Sequence, residues 1–387
     1  MSVKDIDTYV ENLRIDPNLQ GVPIIVEHRS NNPKRDFLFV NKYQAKHIPT
    51  DPEDFFSQMS TLADKVAAKI PDHSKVLVVG FAETATALGQ YIAESLRNCV
   101  YYLQTTRELV PDAHFLFEFQ EEHSHATQQY LYVCEDLPEF DYVLFVDDEI
   151  TTGKTILNFI SKFEEKYPGI RYGVATVCSW LSEENQQVFD DSGIQVFRLL
   201  EGEIRDTHAK MAISSVEPEP QFPETQGKTY NYNQIHVPIR GMFNYERAGH
   251  EINDSEWPRD ISVFNVIQEL EPFHTNGEDI LIMGAEEFMY VPLLVAWDIG
   301  TECKVHTHSC SRSSIDVILN TQGIVCKHKL HSAYDPERTV YLYNTRKYDR
   351  VFVIVDVEPS EEFKRDICEI FSQHQVHSVN IYFVVIN

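Results

Sequence analysis

The stretch Val143–Thr155, VLFVDDEITTGKT, joins an apolar run to a polar turn and then to a segment with helical spacing. The apolar run predicts a buried strand that carries two adjacent acids, Asp147 and Asp148, to its carboxyl end. The turn offers hydroxyl, amide and lysine donors beside a helix N-terminus, where the helix dipole attracts anions. We therefore expect the turn to bind a dianionic phosphate through Thr151, Thr152, Gly153, Lys154 and Thr155.

The order of acids and phosphate donors indicates the kind of ligand. The carboxylates of Asp147 and Asp148 can accept hydrogen bonds from two vicinal hydroxyl groups, which a ribose ring presents. A ribose 5-phosphate would fit, with its sugar on the acids and its phosphate in the turn. A Walker A nucleotide loop is excluded, because it needs a glycine five positions before Gly153, where Asp148 stands.

Short apolar runs alternate with helical patterns on both sides of this stretch. The runs Lys75–Val79, Cys99–Leu103 and Tyr172–Cys178 predict strands. The segment Thr84–Leu96 predicts a helix after the first of these strands. This alternation is typical of an α/β fold with a parallel sheet covered on both faces, which binds ligands at the carboxyl ends of its strands.

Composition narrows the class of protein. The 387 residues, 43% hydrophobic and 24% charged, are typical of a soluble globular chain with two domains. A net charge of −27 argues against a nucleic-acid partner. No apolar run is long enough for a membrane span, and the polar N-terminus does not resemble a signal peptide. Seven scattered cysteines fit free thiols, so we expect a cytoplasmic protein.

The second half of the chain repeats the spacing of several residues of the first half. A linker rich in proline and glutamate at 213–228 separates a predicted domain at 1–212 from another at 229–387. The spacing from Gly80 to Arg107 is 27 residues and that from Gly284 to Arg312 is 28, while Asp356 aligns with Asp147. The second α/β domain is either a degenerate duplicate of the first or shares only the rhythm that unrelated α/β domains have.

The segment VLFVDDEITTGKT resembles the signature of type I phosphoribosyltransferases, and most closely that of the orotate branch. Purine-type members carry an acid where Thr151 stands. The resemblance implies the type I phosphoribosyltransferase fold and binding of phosphoribosyl diphosphate (PRPP) with Mg²⁺, which Asp147 and Asp148 would hold indirectly. It further implies transfer of ribose 5-phosphate to a small-molecule acceptor.

A broader resemblance covers most of the chain. The run FLFVNKYQAKHIP, then VVGFAETATALG, QTTREL, EEHSHAT and VDDEITTGKT, is similar to the phosphoribosyltransferase of bacterial gene clusters linked to tellurite resistance. That domain precedes a companion named for a Thr-Arg-Ser-Pro (TRSP) signature. Ser311–Ser314, reading SRSS, stands where the signature is expected, with serine at both the Thr and Pro positions. The resemblance implies synthesis of a nucleoside-like metabolite, and a homodimer is compatible with it.

These resemblances suggest roles for several further residues. The loop GFAET would hold pyrophosphate through its amides, and it comprises Gly80, Phe81, Ala82, Glu83 and Thr84. Arg107 would bind pyrophosphate bidentately and, with Asp147 and Asp148, act in catalysis. The polar region around residues 39–49, here called the hood, would select the acceptor through Lys42, Lys46 and His47. Arg312, Ser313 and Asp356 are candidates for a site in the second domain.

Some alternatives stay open at this stage. The polar stretch 104–130 predicts a lid-like loop or a hairpin, and His123 and His125 within it have no assigned role. Cys303, His306, His308 and Cys310 lack zinc-site spacing and fit one face of a strand better. The chain could also be a regulatory protein that binds PRPP without turnover, or an enzyme that cleaves a ribonucleotide in the reverse direction.

Overall fold

The computed structural model describes residues 6–19, 21–30, 35–110, 113–120, 128–133, 136–206, 211, 215–238, 245–252, 258–273, 275–318 and 323–386. They form two α/β domains, each built around a largely parallel sheet. This arrangement confirms the predicted fold class.

The first domain contains ten strands and four helices within the described residues. The strands are β1 (Val10–Ile15), β2 (Ile24–His28), β3 (Phe37–Asn41), β4 (Val76–Gly80), β5 (Cys99–Thr106), β6 (His114–Gln120), β7 (Gln128–Val133), β8 (Tyr142–Ile150), β9 (Arg171–Ser179) and β10 (Gln195–Ile204). The helices are α1 (Pro52–Ala67), α2 (Thr86–Ser95), α3 (Lys154–Lys166) and α4 (Glu183–Asp191). The predicted strands and the predicted helix are all present, with bounds that differ by a few residues.

The first sheet has the order β1-β10-β9-β8-β4-β5-β7-β6. Its five central strands, β10 to β5, are parallel, whereas the edge pairings β1 with β10, β7 with β5 and β6 with β7 are antiparallel. Val76 and Val78 pack into one apolar layer, and Leu77 and Val79 pack into the layer on the opposite face. Burial on both faces explains why these strands are continuous apolar runs.

The second domain repeats this plan. Its strands are β11 (Asn233–Val237), β12 (His250–Glu251), β13 (Asp279–Ala285), β14 (Lys304–Cys310), β15 (Lys327–His331), β16 (Thr339–Tyr343), β17 (Arg350–Val355) and β18 (Ile381–Ile386). Its helices are α5 (Tyr245–Ala248), α6 (Pro258–Leu270), α7 (Tyr290–Ile299) and α8 (Glu361–Gln373).

The two sheets share one topology. The order β9-β8-β4-β5 in the first sheet corresponds to β18-β17-β13-β14 in the second, and all these neighbours are parallel. In each domain a hairpin is inserted between the equivalents of β5 and β8, namely β6–β7 or β15–β16. A shared strand order, chain order and insertion point favour duplication over a generic α/β rhythm.

Of the two alternatives for the stretch 104–130, a lid-like loop or a hairpin, the described part shows the hairpin. This hairpin is β6–β7, and Thr105 of β5 pairs with Leu131 of β7, so the segment extends the sheet. Phenylalanine at every second position of β6, reading HFLFEFQ, is typical of a strand, and its backbone pairs with β7. His123 and His125 lie outside the described residues.

The linker at 213–228 lies against the second domain where it is described. The N–H group of Glu217 donates to Val317 at 2.9 Å, and Lys327 forms an ion pair with Glu219. Within the described ranges, no helix combines the length and apolarity needed to cross a membrane.

Candidate active site

The paired acids lie where β8 extends beyond the end of its neighbour β4. Gly80, the last residue of β4, pairs with Val146, while β8 continues beside β9 as far as Ile150. Asp147 and Asp148 therefore lie in the carboxyl-terminal part of the strand, beyond the last residue of β4. Both are half-buried, which leaves their carboxylates open to a ligand.

The predicted phosphate turn connects β8 to α3. Gly153 precedes the helix with a φ of 71°, a left-handed backbone that glycine adopts without strain. The first helical hydrogen bond runs from Leu157 N–H to Gly153 C=O, so the N–H groups of Thr155 and Ile156 have no partner within the helix. Thr155 is half-buried, as are the two threonines before Gly153, while Lys154 is exposed.

The loop Gly80–Thr84 lies directly beside the acids. Thr84 Oγ1 donates to Asp148 Oδ1 at 2.8 Å. The Phe81 and Ala82 amides already donate to Val146 C=O and to Thr105 Oγ1, at 3.0 and 2.8 Å. The amides of Glu83 and Thr84 are thus the loop's candidates for binding an anion.

Glu83 is the charged centre of that loop. Its side chain is buried and lies 2.6 Å from Lys46 Nζ and 3.5 Å from Arg107 Nη1. Burial alone would raise the pKa of Glu83, but the charges of Lys46, Arg107 and Arg312 outweigh it and lower the pKa to about 2. Glu83 therefore stays ionised and holds Arg107 beside the loop.

Two of the three predicted hood residues are buried at the junction of the two domains. Lys46 has no exposed side chain, and its Nζ also donates to the Glu286 C=O of the second domain. His47 Nε2 lies 3.2 Å from Ser311 Oγ, and burial, together with the charge of Lys46, lowers its pKa to about 3. Lys42 is half-buried. The structure therefore places Lys46 and His47 between domains instead of on an open surface.

The second-domain candidates follow strand ends, as predicted. Arg312 lies two residues after β14, and Asp356 directly follows β17. Arg312 reaches the first domain, since it pairs with Glu108 and its N–H group lies 3.4 Å from Glu83. Asp356 accepts a hydrogen bond from Tyr334 Oη–H at 2.7 Å and pairs with Arg247. Ser313 N–H donates to Ser311 Oγ at 3.1 Å.

A charge-balanced network spans the junction between the domains. No member's side chain is more than 22% exposed, so each charge needs a partner. Among the described residues its members are the cations Lys46, Arg107, Arg247, Arg312 and Arg338 and the carboxylates Glu83, Glu108, Glu286, Glu287 and Asp356, while the more exposed Asp335 lies 3.9 Å from Arg338 at its margin. The sequence interpretation missed most of this network. One available signal was that Glu83 and Glu287 each stand three residues after the glycine that aligns the two halves.

A second missed feature joins the hood hairpin to β8. Arg35 forms an ion pair with Glu149 at 2.9 Å, and its guanidinium lies over the rings of Phe37 and Phe39. Arg29 is half-buried nearby, and no ion pair of its guanidinium is found among the described residues. Glu149 follows the paired acids directly, so these arginines bring positive charge close to the candidate site.

The histidine and cysteine residues around β14 behave as a strand face. His306, His308 and Cys310 alternate along β14, and His308 Nε2 lies 2.7 Å from Tyr343 C=O. In the part of the chain that the structure describes, no group of three or more His, Cys, Asp or Glu side chains could hold a metal ion.

Comparison with known proteins identifies the family. Residues 26–202 match a phosphoribosyl transferase family, and residues 247–371 match the TRSP domain that lies C-terminal to that transferase. This chain belongs to the phosphoribosyltransferases that carry a C-terminal TRSP domain. The two matched ranges fall on either side of the segment 213–228. No curated protein matches this phosphoribosyltransferase.

Solved structures with some likeness to this phosphoribosyltransferase include adenine phosphoribosyltransferases. The enzyme of Rhodothermus marinus is 18% identical, with 46% of this chain and 94% of that chain covered and a TM-score of 0.34. The enzyme of Giardia lamblia, complexed with 9-deazaadenine, is 16% identical, with coverage of 51% and 97% and a TM-score of 0.28. Likeness at this level does not indicate which acceptor this protein uses.

Proposed function

We propose that the first domain binds PRPP with Mg²⁺ and transfers its ribose 5-phosphate to a small nucleophilic acceptor, releasing pyrophosphate. The observation that carries this proposal is the hydrogen bond from Thr84 to Asp148, 2.8 Å long. It joins the loop Gly80–Thr84 to the paired acids, which the turn at residues 151–155 follows. Diphosphate, ribose and 5-phosphate therefore have adjacent candidate partners, in the order in which PRPP presents them.

The 5-phosphate would bind at the N-terminus of α3. The N–H groups of Thr155 and Ile156 precede the first helical hydrogen bond, and the helix dipole adds positive potential. Hydroxyl groups of Thr151, Thr152 and Thr155 supply further donors. Gly153 places no Cβ in the turn.

The ribose would bind over the acids of β8. Asp147 and Asp148 would accept hydrogen bonds from its two vicinal hydroxyl groups. Two carboxylates fit a Mg²⁺ ion that the protein holds indirectly, because the oxygens of bound PRPP would supply the other metal ligands. Bound Mg²⁺ would neutralise charge on the pyrophosphate leaving group.

The pyrophosphate would bind at the loop Gly80–Thr84 and Arg107. Arg107 directly follows β5, and its guanidinium lies 3.5 Å from Glu83 of that loop, so it is placed beside the amides that would bind the anion. During transfer the bond between C1 of the ribose and the pyrophosphate oxygen breaks, and the acceptor attacks C1 from the opposite face. The carboxylates of Asp147 and Asp148 stabilise the positive charge that develops on the sugar.

The acceptor would approach beneath the hood. Lys46 and His47 are committed to the domain junction, so Lys42 is the remaining predicted hood residue with an accessible side chain. Arg29 and Arg35 add positive charge near Glu149 on the same side. Thr151 offers no carboxylate to a purine ring.

The test is metabolite profiling with the full-length protein, PRPP and Mg²⁺, following which small molecule gains ribose 5-phosphate. The double variant Asp147→Asn/Asp148→Asn should lose this transfer. A matched control is Asp190→Asn/Asp191→Asn, because these adjacent acids are exposed at the end of α4 and their side chains accept hydrogen bonds from Gln186 and Gln187 of the same helix. Binding of PRPP without any turnover would instead support a regulatory protein, and transfer by the Asp147/Asp148 variant at the wild-type rate would refute the site.

A further inference from the structure

Each domain supplies a glutamate that contacts a strand end or loop of the other domain. Glu287, in the loop after β13, has no exposed side chain and accepts hydrogen bonds from Thr106 Oγ1–H at 2.6 Å and Arg107 N–H at 2.9 Å. In the opposite direction, Glu83 in the loop after β4 lies 3.4 Å from Arg312 N–H. Each glutamate thus faces the backbone of the arginine that follows the neighbouring strand of the other domain.

Two further contacts obey the same pseudo-twofold relation. Thr50 of the first domain pairs with Thr307 of β14, while His250 of the second pairs with Tyr102 of β5. The strand registers make Tyr102 and Thr307 equivalent, since Gly80 pairs with Gln104 and Gly284 pairs with Ser309.

The cations beside the two glutamates are related in the same manner. Lys46 lies 2.6 Å from Glu83, and Arg247 lies 3.6 Å from Glu287. The two halves therefore meet as a dimer would, within one chain, and each half supports the strand edge of the other.

We propose that Glu287 of the second domain is a positioning residue for Arg107 in the pyrophosphate subsite of the first domain. This inference rests on the proposed function. Arg107 directly follows β5. Glu287 accepts hydrogen bonds from Thr106, the last residue of that strand, and from the N–H group of Arg107 itself. The direction in which the Arg107 guanidinium leaves the strand therefore depends on a carboxylate that the second domain supplies.

A glutamine at position 287 would keep the side chain's size but not its hydrogen bonds. Both groups that face the carboxylate, Thr106 Oγ1–H and Arg107 N–H, are donors, and an amide has only one acceptor oxygen. The amide NH₂ would face one of these donors, so the end of β5 would move. The turn at 151–155 follows β8 and has no contact with Glu287 in the network described above, so its ligand should be unaffected.

The test is calorimetry on the full-length protein with Mg²⁺, using inorganic pyrophosphate and ribose 5-phosphate as separate probes. For Glu287→Gln we expect affinity for pyrophosphate to fall about tenfold, as after loss of one hydrogen bond to a charged group, and affinity for ribose 5-phosphate to be unchanged. The matched control is Asp366→Asn. Asp366 is also a buried second-domain carboxylate, and it accepts from His331 N–H at 2.9 Å and lies 2.7 Å from His331 Nδ1; neither residue is among the ten charged members of the junction network.

Asp366→Asn should lower the melting temperature without changing either affinity. Equal affinity of wild type and Glu287→Gln for pyrophosphate would overturn the inference, as would a parallel loss for both probes. Should Glu287→Gln not fold, Thr106→Val and Thr106→Ser decide: valine removes the donor to Glu287 and should weaken pyrophosphate binding, whereas serine keeps it and should restore binding. A wild-type protein that binds neither probe would refute the proposed function itself, and this inference with it.

Discussion

Thr155, in the first turn of α3, has two donors for the candidate phosphate site: its hydroxyl group and an N–H group that precedes the first helical hydrogen bond. We expect Thr155→Ala to weaken PRPP binding about tenfold, about 1.4 kcal/mol, because one donor to a dianion is lost. Titration calorimetry with PRPP and Mg²⁺ measures this. Thr61→Ala is the control, since Thr61 donates to Ser57 C=O within α1 at 3.0 Å and is remote from the turn. Unchanged affinity in Thr155→Ala would contradict the assignment of the turn.

His47 makes the stability of the protein depend on pH. Burial and the charge of Lys46 lower its pKa from 6.5 to about 3, so between these values the unfolded chain binds a proton that the folded chain does not. Stability from this group is therefore complete above pH 6.5 and falls as the pH drops, by about 1.4 kcal/mol per unit. We expect wild type to lose about 2 kcal/mol more than His47→Gln between pH 7 and pH 5.

Urea unfolding at the two pH values measures that difference. His73→Gln is a suitable control because His73 is exposed. His308, whose pKa burial lowers to about 4, should retain its own contribution in both proteins. Equal losses in wild type and His47→Gln would show that His47 is not held neutral in the fold.

At the scale of elements, the turn from β8 into α3 depends on Gly153. A Cβ there would lie 2.4 Å from the ring of Phe189 on α4, and the φ of 71° disfavours any side chain. We expect Gly153→Ala to lower the free energy of unfolding by at least 1–2 kcal/mol for the backbone, and by more for the clash. Gly193→Ala separates the two costs, because Gly193 has a φ of 68° with nothing within 4 Å. A loss no greater than that of Gly193→Ala would show that Phe189 gives way.

The central strands can be predicted from sequence because each is a short apolar run buried on both faces, as Val76–Gly80 shows. The turn after β8 can be predicted equally well, because it depends on neighbouring residues: two acids, hydroxyls and a glycine stand within nine residues. The pairing of the β6–β7 hairpin with β5 is not, because it is a tertiary choice between sheet edges. The burial of Lys46 is also hidden, since its contact with Glu286 spans 240 residues.

At the scale of the whole molecule, glycine and arginine spacing predicts a repeated domain, and the strand order of the second sheet agrees with it. What spacing does not predict is that the two halves contact each other through loops at the carboxyl ends of their strands. That arrangement depends on pairing of buried charges, such as Arg312 with Glu108, that lie about two hundred residues apart. Because a junction of this kind already exists within one chain, association into a homodimer stays a prediction that would require a different surface.

Arg312 offers the test of this junction. It is 15% exposed, pairs with Glu286 at 2.6 Å and with Glu108, and lies 3.9 Å from Glu83. Removing it leaves the largely buried carboxylates of Glu108 and Glu286 with Arg338 as their one remaining ion-pair partner among the described residues, so we expect Arg312→Ala to destabilise the protein by about 3–5 kcal/mol. Scanning calorimetry should show one unfolding transition for wild type, because neither domain can expose its half of the network without the other. In Arg312→Ala the transition should move to lower temperature and separate into two.

Arg346→Ala is the control, since Arg346 pairs with Asp279 inside the second domain at 2.8 Å and is partly exposed. It should leave a single transition; two transitions already present in wild type would show that the domains unfold independently and that the network does not couple them.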